Sequence, residues 1–170
     1  MIWASAGENE HNDKGESMDA FTDGNLFARI LVTLATLGYS AATVFADFNN
    51  THASNPNWTP HARFHVVWQI SSYSGFALLA LALTWWPGGY AVERLYLACL
   101  FAAVVYGAFF VALATMPIYG GRTYDDNGYL PFPAPLGLRQ RWDVNVAAFS
   151  ALSALLIVAA LTVSRSAMAG

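Results

Sequence analysis

Four long apolar stretches, separated by short polar ones, dominate the chain. They lie near residues 26–47, 64–86, 91–116 and 142–164, and each has the roughly 20 predominantly apolar residues that a helix needs to cross about 30 Å of hydrocarbon. Helices are the expected form. These runs are too long for barrel strands, and an open sheet edge leaves its backbone polar groups unsatisfied in lipid. The expected fold is an all-α polytopic membrane protein, a bundle of four transmembrane helices over residues 25–165, preceded by a polar acidic tail over 1–24.

The connections differ in kind. Pro87-Gly88-Gly89 is a tight turn and makes spans two and three antiparallel neighbours. Residues 48–63 and 117–141 are longer and emerge on the same side of the membrane, because two spans separate them. The second of these is rich in Gly, Pro and Tyr, which suits a folded cap over the bundle end.

Composition strengthens the membrane reading. The chain is 56% hydrophobic and only 11% charged, against about a quarter charged in a soluble domain. Six of the eleven acids (Glu8, Glu10, Asp13, Glu16, Asp19 and Asp23) fall in the tail. A net charge of −3 without a basic cluster argues against nucleic acid as a partner. Orientation stays open because the Lys and Arg count ties: Lys14, Arg29, Arg94 and Arg165 flank the termini side, and Arg63, Arg122, Arg139 and Arg141 the loop side. The lone Cys99 lies in an apolar run and is expected to pack as a small apolar residue.

Candidate chemistry gathers on the loop side. Three of the four histidines, His52, His61 and His65, fall within fourteen residues. Thr59 and Pro60 read as an N-cap and first helical position, so His61 and His65 should project from one face at the start of span two. Continuing that face inward gives Trp68, Gln69 and Ser72. Span one carries a hydroxyl stripe, Thr33, Thr36, Ser40 and Thr43, that ends in Asp47. Such a stripe belongs in the bundle interior, as packing glue or as the wall of a ligand path. An ionisable residue at the depth of Asp47 is a functional-site candidate by default.

Three readings follow for Asp47, His52, His61 and His65. They could be ligands of a divalent transition metal (zinc, iron or copper), since imidazoles and a carboxylate suit these ions. Asp47 and one of these histidines could be an acid–base pair acting on a small lipophilic substrate. Alternatively, the histidines hold the first loop down by bonding to its carbonyls. Ser40, Thr43, Trp68, Gln69, Ser72, Tyr124, Asp125, Arg141 and Asp143 are the expected pocket residues around this site. The lead expectation is an enzyme in which Asp47, His61 and His65 are catalytic and His52 closes the site from the loop. The alternative is a lipophile-binding or accessory subunit. Partners expected besides the bilayer and a small lipophilic ligand are a second copy of the chain or another membrane protein.

The segment Asn55-Pro56-Asn57-Trp58-Thr59-Pro60-His61-Ala62-Arg63-Phe64-His65 resembles a motif of small uncharacterised membrane proteins of bacteria and fungi. More remotely, four spans with polar residues facing a membrane pocket are similar to the emopamil-binding, or sigma-2-like, superfamily. That resemblance implies a pocket for sterols or amphiphilic amines, served by carboxylates in the spans; here the spans offer Asp47, Glu93 and Asp143.

Overall fold

The computed structural model describes residues 23–126, 128, 130–134 and 141–169; the acidic segment 1–22 and residues 135–140, with Arg139, lie outside it. The chain forms α1 (Asp23–Tyr39), α2 (Ala41–Asp47), α3 (Pro60–Trp85), α4 (Ala91–Tyr119), β1 (Phe132–Pro133), β2 (Arg141–Trp142) and α5 (Val144–Ala169). Four segments are long and apolar enough to span a membrane: Leu26–Asp47, Pro60–Trp85, Ala91–Tyr119 and Val144–Met168. The protein is therefore a multi-pass integral membrane protein of the all-α class. The only strands among the described residues are β1 and β2, which pair antiparallel with Phe132 opposite Trp142. They give the second loop a two-stranded ribbon that its Gly- and Pro-rich sequence did not announce.

Span one bends between α1 and α2 at Ser40 (φ −111°, ψ −76°). Ser40 Oγ donates to the Thr36 carbonyl at 2.8 Å and Thr43 Oγ1 to the Tyr39 carbonyl at 3.0 Å; such back-bonding commonly accompanies helix bending. Thr33 accepts from Trp85 Nε1 of α3 at 3.0 Å. The hydroxyl stripe thus serves largely as packing glue. Only Thr43 of the residues expected at the pocket from this stripe also faces a cavity.

α3 begins as its sequence suggests. The Thr59 side chain accepts from Ala62 N at 3.2 Å, with Pro60 in the first turn. It starts four residues before the expected span because those capping residues, and not the first apolar one, set the helix start. α4 continues three residues past its expected end, through Pro117, and stops where Gly120 takes the left-handed conformation (φ 65°). A proline so near the end removes a single backbone donor.

α1 and α4 form the centre of the bundle, and each packs against the other and against α3 and α5. Their contact surfaces are built of small residues, with Ala28, Ala35, Ala98, Ala102 and Ala159 fully buried, which lets backbones approach closely in lipid. Tyr39 and Tyr106 fill the middle, rings edge to face at 6.0 Å, and Tyr106 Oη donates to the Ala35 carbonyl at 2.5 Å. Cys99 is buried among them. The outward faces carry Leu34, Leu78, Leu79, Val104, Ile157 and Leu161, the surface that lipid covers. α3 and α4 are antiparallel neighbours across Pro87-Gly88-Gly89, where Arg94 donates to the Trp86 and Gly88 carbonyls at 2.9 Å each. Arg94 therefore closes this turn.

Candidate functional site

At the loop end, α2, the start of α5 and the end of α4 diverge and leave a cavity of about 580 Å³, within the range of small-molecule sites. Its walls change character with depth. At the loop end stand Asp47, His52, Arg122, Thr123 and Asn145, with Met116 one turn from the end of α4; farther along the helices are Gln69, Phe109, Leu113, Phe149 and Leu152, with Gly38 and Thr43 on the α1–α2 side. From Asn145 to Leu152 is seven helical residues, so the cavity runs roughly 10 Å along α5. Phe45, Ala112 and Ala148 in its walls are exposed, which leaves the cavity open to its surroundings.

Asp47 and His52 are the ionisable pair of the cavity. Asp47 Oδ1 lies 3.7 Å from His52 Nδ1, and the two side chains are 26% and 24% exposed. That distance is an electrostatic contact and too long for a hydrogen bond. The loop between them is tightly organised. Asn49, at the end of α2, donates from its side-chain nitrogen to the carbonyls of Phe45 at 3.0 Å and Ala46 at 2.9 Å. Asn55 is fully buried; its Nδ2 donates to the Thr51 carbonyl at 2.8 Å and its Oδ1 accepts from Asn57 N at 3.0 Å. The His52 ring meets the Trp58 ring edge to face at 5.2 Å, and Trp58 Nε1 donates to Asp125 Oδ2 at 3.0 Å. Most of the Asn-Pro-x-Trp-x-Pro segment is therefore a scaffold that holds His52 at the cavity mouth and ties the first loop to the second.

The second loop is fixed to α5 by Asp143. Its Oδ1 accepts from Val146 N at 3.0 Å, which caps the helix, and its Oδ2 accepts from Thr123 Oγ1 at 2.5 Å. Asn145 Nδ2 donates to the Thr123 carbonyl at 2.7 Å. Arg122 sits 4.7 Å over the Tyr124 ring and 3.7 Å from Asp126. The Tyr124 hydroxyl first, and Asp126 with Asp125 after it, push the Arg122 guanidinium above its ordinary pKa.

The expected convergence of Asp47, His52, His61 and His65 does not occur. His61 and His65 are exposed, their Nε2 atoms are 3.0 Å apart, and the His65 ring stacks on Trp68. The reason is helical phase. The buried stripe of α3 is Ile70, Ala77, Ala80 and Thr84, and at 3.6 residues per turn Ile70 lies about 180° from His61 and about 140° from His65. Polar side chains at the first turns of a span reach the membrane–water interface and need not point inward. Among the described residues no three of His, Cys, Asp and Glu come together to hold an ion.

The expected pocket residues divide accordingly. Thr43 and Gln69 line the main cavity. Trp68 is exposed, Ser72 is half-buried away from the cavity, and Ser40 is buried against its own helix. Tyr124, Arg141 and Asp143 border a separate recess of the second loop, and Asp125 another beside His52 and Trp58. Sequence reasoning did not assign the apolar half of the cavity or the roles of Asn49 and Thr51. Apolar residues of a span look alike whichever way they face, whereas an Asn two residues past a helix end with a Thr two residues further on is a recognisable capping and turn signal.

No curated protein and no solved structure matches the chain. A family described as "Family of unknown function (DUF6640)" matches residues 31–165, a stretch that contains α2, α3, α4, the cavity and both loops. The chain belongs to this DUF6640 family.

Proposed function

We propose that the protein receives a small amphiphile from the bilayer into the loop-end cavity and that His52, paired with Asp47, moves a proton on its polar end. The observation that carries this reading is the division of one cavity into a polar loop end at Asp47 and His52 and a largely apolar depth at Phe109, Leu113, Phe149 and Leu152. A molecule with a polar head and a compact hydrocarbon body matches that division. A basic imidazole nitrogen takes a proton from the ligand, the electron pair of the broken bond stays on the ligand, and the imidazolium formed is stabilised by the neighbouring Asp47 carboxylate. Returning the proton at a different ligand atom completes an isomerisation. That cycle needs no external oxidant, reductant or cofactor.

The test uses the full chain purified in detergent. Bound amphiphiles are extracted and identified by mass spectrometry, and the same protein is incubated in D2O before extraction. The expected result is a defined amphiphile in the wild type, strongly reduced in Ala148→Trp, which fills the cavity. Deuterium should enter the wild-type ligand and be lost in His52→Gln. Retention of the ligand with no exchange in the wild type would leave a binding protein and refute the proton-transfer step. No difference in ligand content between wild type and Ala148→Trp would refute the cavity.

A further inference from the structure

The hydrogen-bond chain behind His52 dictates which of its nitrogens carries the proton. It starts from groups whose roles are not negotiable. The carbonyls of Phe45 and Ala46, at the end of α2, can only accept, and they take hydrogen bonds from one side-chain atom of Asn49 at 3.0 and 2.9 Å. That atom must be the amide nitrogen, so the Asn49 amide cannot be flipped. Its oxygen, Oδ1, therefore faces Thr51. There it accepts twice, from Thr51 N at 2.8 Å and from Thr51 Oγ1 at 2.6 Å. The Thr51 hydroxyl has a single hydrogen, and Asn49 Oδ1 consumes it. What Thr51 Oγ1 presents to His52 Nδ1, 2.7 Å away, is a lone pair. Two lone pairs do not meet at that distance, so Nδ1 carries the hydrogen and donates it.

We infer that Asn49 and Thr51 are positioning residues that hold neutral His52 as its Nδ1–H tautomer and so leave Nε2 as the basic nitrogen. Among the described residues nothing hydrogen-bonds to Nε2, and His52 borders the main cavity and the recess beside Trp58. Asp47 Oδ1, 3.7 Å from Nδ1, favours the same tautomer electrostatically without a hydrogen bond of its own. The usual arrangement, in which a carboxylate alone orients the ring, is here taken over by a hydroxyl whose polarity is set, through Asn49, by a helix end four residues upstream. The tautomer assignment stands on this chain of bonds alone; its use in proton transfer rests on the function proposed above.

The experiment reads the tautomer directly and needs no ligand. The full chain is labelled with 15N-histidine, and long-range 1H–15N correlation spectra are recorded in detergent micelles at a pH where the imidazoles are neutral. The His52 signals are identified by their absence in His52→Gln. Wild type should show a protonated Nδ1 and an unprotonated Nε2. Thr51→Val keeps the shape of the side chain but removes the acceptor, and it should shift His52 substantially toward the Nε2–H form; Thr51→Ser should restore the wild-type pattern. Circular dichroism of each variant establishes that the helices are intact. A wild-type His52 protonated at Nε2 would overturn the inference, as would a Thr51→Val spectrum identical to wild type, which would give the orienting role to Asp47 alone. If the tautomer is as assigned but His52→Gln still exchanges deuterium into the ligand, the proposed function fails and the positioning device stands.

Discussion

Gly38 offers a quantitative test of how the bundle closes around the cavity. It sits in α1 where that helix passes α5. A Cβ added there would lie 2.5 and 2.8 Å from the two Leu152 methyl carbons and 2.9 Å from Tyr106 Oη. Those separations fall short of carbon–carbon contact at roughly 3.5–4.0 Å by about 1 Å. Two responses are available. Leu152 borders the cavity, so its side chain can swing into that space, while Tyr106 Oη is held by its bond to the Ala35 carbonyl and yields less readily. Overpacking of this kind costs about 1–3 kcal/mol, offset by about 0.5–1 kcal/mol because alanine favours a helix interior over glycine. The Gly38→Ala protein should therefore be destabilised by about 0–2.5 kcal/mol, and its cavity should shrink as Leu152 enters it. The assay is a double-mutant cycle with Leu152→Ala, measured by reversible unfolding in mixed micelles. Leu152→Ala alone loses packing, but in the Gly38→Ala background it removes the clash. A favourable coupling of about 0.5–3 kcal/mol is expected for side chains in direct contact. Strict additivity of the two substitutions would refute the reasoning.

Further outcomes follow from the loops and the helix ends. Trp58→Phe keeps a ring against His52 but loses the bond to Asp125 Oδ2; a bond to a charged acceptor contributes about 1.5–3 kcal/mol, so amide exchange in residues 120–126 should quicken while α4 stays protected. Thr59→Ala removes the cap acceptor for Ala62 N and should cost about 1 kcal/mol, seen as fraying of the first turn of α3 by hydrogen exchange. His61→Ala and His65→Ala should leave ligand content and deuterium exchange unchanged, because both side chains lie on the exposed face of α3. Loss of exchange in either would return them to the site.

The fold was legible because hydropathy over 20-residue stretches answers one question, whether a helix can live in lipid, and Pro87-Gly88-Gly89 and Thr59-Pro60 mark their boundaries locally. The site was only half legible. Asp47, His52, Thr43 and Gln69 were picked out because ionisable or polar groups near a span are costly and so stand out. His61 and His65 were expected beside Asp47 and are instead exposed, because spacing fixes which residues share a face but leaves open which way that face points. In a soluble helix the polar face points to water; in a span the buried stripe is set by small residues such as Ala77 and Ala80, and both histidines are exposed beside it. Asn49 and Thr51 carry a turn signal in the sequence, but the direction of their hydrogen bonds, on which the orientation of His52 depends, is visible only in the structure.

The central claim is that an amphiphile occupies the cavity with its hydrocarbon body between α4 and α5. Photolabelling of the full chain in bilayer nanodiscs with a diazirine-bearing long-chain alcohol, mapped by peptide mass spectrometry, tests it most directly. Labels should fall on the stretches containing Phe109, Leu113 and Met116 and containing Phe149 and Leu152, and should be suppressed in Ala148→Trp. Labelling confined to the lipid-facing residues Leu78, Leu79, Ile157 and Leu161, or a pattern unchanged by Ala148→Trp, would contradict the account.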